Sequence, residues 1–191
     1  MKQPDASISR FPVPEFDTLP GDIKDAMLSF QEKLGFVPNV LFALAHRPAE
    51  LRAFLAYNEA TMAKESGLTA AEKEMLIIAF SNQNGCTYCV MSHGAVLRLE
   101  SGDKYLAEKI AVNYREANIS PRQKAMIAFA LKMTKEPSTI STEDFESLHA
   151  HGLSDEDIWD IGGITAFFNL SNRMMDLLAV RPDDEFFMMG R

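Results

Sequence analysis

The sequence predicts an all-α protein, and three observations carry that prediction. From Asp22 onward the apolar residues recur at helical spacing, with no run of alternating apolar and polar residues bounded by turn signals. Helix starts are marked by cap sequences such as Thr69-Ala-Ala-Glu72, Ser120-Pro121-Arg122-Gln123 and Ser154-Asp155-Glu156-Asp157. Helix ends are marked by glycine, as at Asn84-Gly85 and Ser101-Gly102.

The elements follow in chain order. Pro4, Pro12, Pro14 and Pro20 break up the start, so residues 1–21 are expected to form an extended arm, and 22–191 one helical domain. After Gly35, Pro38 opens a helix. Pro48 opens another after the His46-Arg47 corner, and Gly67 is expected to close it. Thr69 and Glu72 form a capping box for a helix running from Ala70 to about Gln83, and a further helix should begin near Cys86 and end at Ser101-Gly102. Ser120 and Ser154 cap two more, the first with proline and the second with acidic residues in its first turn. His149 and His151 flank a helix end before Gly152, an ordinary place for histidine near exposed carbonyls, and His46 reads as a loop residue that could rim a pocket. Trp159 and the eleven methionines read as core or interface. Phe186-Phe187-Met188-Met189 forms an apolar tail that should pack on its own domain or on a second subunit.

A degenerate repeat is visible when the segment from Leu68 is laid over that from Leu153. Both open with a cap and continue as a buried helix, but Cys86, Cys89 and His93 fall on Ser171, Met174 and Leu178, so the second copy lacks the chemistry of the first.

Composition narrows the function. A chain of 191 residues, 47% hydrophobic, can bury one sizeable core. A net charge of −8 and a pI near 5.0 argue against nucleic acid or an anionic membrane surface as partner. The first residues lack the apolar stretch of a secretory signal, and the run Met75 to Phe80 is too short to cross a bilayer, which makes a cytoplasmic location the expectation.

The two cysteines, Cys86 and Cys89, stand three apart with His93 four residues further on and Glu74 twelve before Cys86. In a reducing compartment such a pair reads as redox-active or metal-binding. On one helix Cys86, Cys89 and His93 share a stripe about 60° wide, close enough to exchange protons and to close a disulfide. Cys86, at the helix N-terminus, is favoured as a thiolate by the unpaired amides there, and His93 is placed to take a proton from Cys89. The residues alone therefore leave open which sulfur attacks. Glu72 is explained by its capping box, whereas Glu74 sits a turn deeper beside Ile77 and Ile78 and needs a partner, for which His93 is the candidate. Zinc is the lesser reading, because a second ligand pair is missing, and neither metal nor cofactor is expected.

The pattern of Glu74, Cys86-x-x-Cys89 and His93 resembles the core signature of the alkylhydroperoxidase D family, within the carboxymuconolactone decarboxylase-like superfamily. Leu68-Thr69-x-x-Glu72-x-Glu74 and Gly35-Phe-Val-Pro-Asn39 resemble its small peroxidase-related members. The resemblance implies an all-helical fold, assembly into a homo-oligomer (dimer, trimer or hexamer), and reduction of hydroperoxides with a dithiol reductant or reductase protein. It further implies that peroxide attacks Cys89, that Cys86 resolves the product, and that Glu74 and His93 relay protons. Tyr88 departs from the branch that carries a second histidine before the second cysteine. A phenol is a poor proton acceptor at neutral pH, so the relay here is shorter. The contrasting expectation is a non-catalytic oligomeric redox sensor or binding protein whose disulfide switches a surface. A lyase activity like that of the decarboxylase relatives is disfavoured, since those do not use the C-x-x-C pair.

Overall fold

A computed structural model describes residues 8–191 and contains ten α-helices and no strand among them, as the apolar spacing requires. The arm's first seven residues, Pro4 included, lie outside the described residues. Residues 8–20 lie against the body: Arg10 N–H donates to Leu178 O, Arg181 N–H donates to Ile8 O, and the Ile8 side chain is buried.

The helices are α1 (Gly21–Leu34), α2 (Asn39–Leu44), α3 (Pro48–Asn58), α4 (Ala70–Asn84), α5 (Thr87–Ser101), α6 (Leu106–Asn113), α7 (Pro121–Lys135), α8 (Thr142–Ala150), α9 (Asp155–Leu178) and α10 (Asp184–Met188). Capping boxes form at Thr69, Ser120 and Ser154, as their sequences predict. Helix α4 is the axle of the fold. Every residue from Glu72 to Ser81 is buried, and α5, α6, α7 and α9 pack around it. That explains why Met75 to Phe80 carries no polar face. Among the described residues, no helix is long and apolar enough to cross a membrane.

Gly67 does not close the helix begun by Pro48. Helix α3 ends at Asn58 and passes into a π-helical turn, Glu59–Ala63, whose carbonyl ends are gathered by the buried ammonium of Lys73, within 3.3 Å of Thr61 O, Met62 O and Lys64 O. Gly67 is needed for close approach, because a Cβ there would lie 2.1 Å from Asp157 Oδ1. The repeated segments share their capped starts and then diverge: Gly85, with φ +79°, breaks α4 from α5, whereas α9 runs on for 24 residues. Trp159 is not in the core but 77% exposed.

The apolar tail divides. Phe186 is buried, while Phe187 and Met188 face outward. Arg98, itself 4% exposed, straps the tail down, donating from Nη2 to Phe186 O at 2.6 Å and from Nε to Met189 O at 2.9 Å.

Candidate functional site

The left-handed Gly85 turns the chain so that Cys86 becomes the N-cap of α5, its sulfur accepting the Cys89 N–H at 3.4 Å. One helical turn later the Cys89 sulfur stands 2.8 Å from that of Cys86. Both thiols are free and buried. His93, a turn further along, points Nδ1 at Glu74 Oε2 at 2.7 Å, and its ring meets Phe168 edge-on at 4.8 Å. Glu74 is only 6% exposed, so the partner that its burial demanded is found. The structure thus brings all four sequence-predicted residues, Glu74, Cys86, Cys89 and His93, to one place. His93 bonds to neither thiol directly.

Electrostatics divides the two sulfurs. The hydrogen bond from Cys89 holds the Cys86 thiol below its usual range, and the same bond, followed by burial, pushes Cys89 well above it. Within the pair, negative charge is therefore favoured on Cys86 rather than on Cys89. Opposing that, side chains of Asn172 and Ser171 on α9 favour a negative Cys89.

Access divides them in the opposite sense. A cavity of about 420 Å³ is lined by Cys89, His93 and Glu74, together with apolar side chains such as Phe54, Met175 and Phe186, whereas Cys86 does not reach it. No lysine or arginine lines it among the described residues. Cys89 meets whatever enters, and Cys86 lies behind it.

Tyr88 lines the same cavity but its hydroxyl is committed elsewhere, donating to Asp183 Oδ2 at 3.2 Å and accepting from Val40 N–H at 3.3 Å. Asp183 also accepts the Asn39 N–H, and burial lifts its carboxyl to about 6. The phenol is a tether between α2, α5 and the tail rather than a proton acceptor beside Cys89. Sequence reasoning missed Asp183, Ser171 and Asn172; each is distant in the chain from Cys89 and carries no local motif. Among the described residues no cluster of histidine, cysteine and carboxylate side chains is arranged to hold a metal.

Comparison with known proteins fits this geometry. Residues 48–104 match the carboxymuconolactone decarboxylase family, a span that includes α3, α4 and the whole C-x-x-C helix. A solved structure described as an alkylhydroperoxidase AhpD core, an uncharacterized peroxidase-related protein from Ralstonia eutropha, is 54% identical over 96% of this chain and 97% of its own, with a TM-score of 0.95. The chain belongs to the carboxymuconolactone decarboxylase family, as an AhpD-like member. An uncharacterized peroxidase-related protein from Silicibacter sp. is 40% identical over the full length of both chains, with a TM-score of 0.92. A debrominase at 18% identity, covering 97% of each chain with a TM-score of 0.77, shares the fold. No curated protein matches the chain significantly. In this AhpD-like chain the family match stops at Lys104, so the α9 and tail contributions to the site fall outside it.

Proposed function

We propose that the protein is a thiol-dependent hydroperoxide reductase serving antioxidant defence. The observation that carries the reading is the arrangement of Cys89 at the wall of an apolar cavity, beside the His93–Glu74 pair, with the Cys86 sulfur 2.8 Å behind it. The Cys89 thiolate attacks the terminal oxygen of a hydroperoxide R–O–O–H. The O–O bond breaks, Cys89 becomes a sulfenic acid, and the alkoxide leaves as R–OH with a proton supplied through His93, which Glu74 orients. The Cys86 thiolate then attacks the Cys89 sulfur, the S–S bond forms as the S–OH bond breaks, and the hydroxide leaves as water with the proton that Cys86 gave up. An external dithiol reduces that disulfide by exchange and leaves as its own disulfide. Its place at the N-cap of α5 suits Cys86 to the second step, since the unpaired amides there favour the resolving sulfur as a thiolate. Assembly into a homo-oligomer belongs to the same reading, supported by the exposed apolar side chains Trp159, Leu170 and Leu177 on α9.

The test is steady-state consumption of an organic hydroperoxide with dihydrolipoamide as reductant. Wild type should turn over, Cys89→Ser should be inert, and Cys86→Ser should stop after one equivalent with Cys89 trapped as a sulfenic acid. One stoichiometric oxidation of wild type without turnover would favour a redox sensor over an enzyme.

A further inference from the structure

A chain of side-chain amides runs from Thr134 on α7 through the half-buried Asn169 and Asn84 to the buried Asn172, and its polarity is fixed at the far end. Asn169 Nδ2 donates at 2.8 Å to the carbonyl of Thr165, a group that can only accept, and Asn169 Oδ1 receives Arg173 Nη1 at 3.0 Å, a group that can only donate. That settles which end of Asn169 is oxygen. Asn84 Nδ2 therefore donates to Asn169 Oδ1 at 3.0 Å, and the same nitrogen donates to Asn172 Oδ1 at 2.8 Å. With its oxygen committed, Asn172 must turn Nδ2 the other way, where one hydrogen goes to Ser81 Oγ at 2.9 Å. Asn172 and Ser81 are both 0% exposed, so neither amide end has water as an alternative. The second Nδ2 hydrogen is left without an acceptor among these groups.

We propose that Asn172, with Ser171 beside it, is a catalytic residue that donates a hydrogen bond to the Cys89 sulfur and so lets it carry negative charge in an otherwise apolar cavity. The inference rests on Cys89 being the sulfur that reacts. Cys86 and burial both favour the protonated form of Cys89, while Asn172 and Ser171 favour the charged one, consistent with a donor contact to that sulfur. Ser171 lines the cavity next to Cys89, whereas Asn172 approaches from behind the wall, so entering substrate need not displace it. Without such a donor the proton would have to be removed against both burial and the neighbouring sulfur.

Iodoacetamide alkylation across pH, followed in the Cys86→Ser protein so that one thiol reports, tests the proposal. Asn172→Leu removes the donor without adding charge, and Ser81 and Asn84 retain other partners in their own helix and in Asn169. The expected result is an upward shift of the alkylation midpoint and about tenfold slower reaction at neutral pH, the size of one lost hydrogen bond to an anion. Asn84→Ala, which frees the Asn172 amide to turn, should shift the midpoint in the same direction by less. An unchanged profile in the folded Asn172→Leu protein overturns the proposal. Should that protein not fold, an unchanged profile in Asn84→Ala does so. Alkylation needs no peroxide turnover. A protein that consumes no hydroperoxide yet shows the shift sinks the peroxidase reading and keeps this one, and the opposite pairing does the reverse.

Discussion

Replacing Arg98 by Met tests whether the C-terminal tail is a strap over the cavity. The substitution keeps an unbranched apolar stem but removes the guanidinium whose Nη2 and Nε hold Phe186 O and Met189 O at 2.6 and 2.9 Å. Each charge-assisted bond is worth about 1.5–3 kcal/mol when its partner is left buried, which sets a ceiling of about 3–6 kcal/mol for the two. The ceiling will not be reached. Helix α10 is the last element, so it can undock and hand both carbonyls to water, and burying a guanidinium carries a desolvation cost that the variant no longer bears. A net loss of about 2 kcal/mol, confined to the tail, lowers the melting temperature by about 4–8 °C in a chain of this size. Hydrogen exchange read by mass spectrometry should show residues 184–191 exchanging at least about tenfold faster, with α4 unchanged. Because Phe186 and Met189 line the cavity, KM for a bulky apolar hydroperoxide should rise more than kcat falls. Faster exchange spread evenly through α4 and α5, with the tail no worse than the rest, would refute the strap and make Arg98 a general packing residue.

Two further outcomes follow from the tether beneath the strap. Burial lifts the Asp183 carboxyl to about 6, with Glu185 nearby adding to the rise, so the folded chain holds that proton more tightly than the unfolded one. Its contribution is complete below the ordinary aspartate range and is lost as pH rises through about 6; Asp183→Asn should therefore gain stability relative to wild type between pH about 4 and about 6.5 in urea melts, and parallel curves would contradict this. Tyr88→Phe removes the hydroxyl from Asp183 and Val40 and should cost about 1–2 kcal/mol of stability by thermal melting, while leaving the alkylation pH profile of Cys89 unmoved.

What was legible in the sequence was local. A serine or threonine three residues before a carboxylate or glutamine fixes a helix start within one turn, and Thr69, Ser120 and Ser154 form the boxes they predict. The Cys86, Cys89 and His93 stripe was readable for the same reason, since Gly85 must end α4 and one helix then sets the spacing. Even Glu74 could be found, because a carboxylate inside an apolar run needs a partner and few were on offer. Gly67 misled because glycine has two uses, ending helices and admitting close neighbours, and only the position of Asp157 decides between them. For Trp159 the sequence left core and interface open, and the outward turn of its helix face excludes the core alone.

The question that spacing left open, which sulfur attacks, shows why the rest was hidden. Local physics favours charge on Cys86, at the helix N-terminus and bonded by Cys89, yet that sulfur has no path to the cavity. Beside His93 and Glu74, much of what opposes this preference comes from elsewhere in the chain: cavity wall from α3 and the tail, and Ser171 and Asn172 from α9. In the degenerate repeat Ser171 stands where the first copy has Cys86, and by sequence it looks like chemistry lost. In the folded chain it lines the cavity with Cys89 instead, so on the proposed mechanism the second segment supplies the surroundings in which the first segment's thiol reacts. On the proposed mechanism, the local signal sets the acidity of the resolving sulfur, and the tertiary contacts select the attacking one.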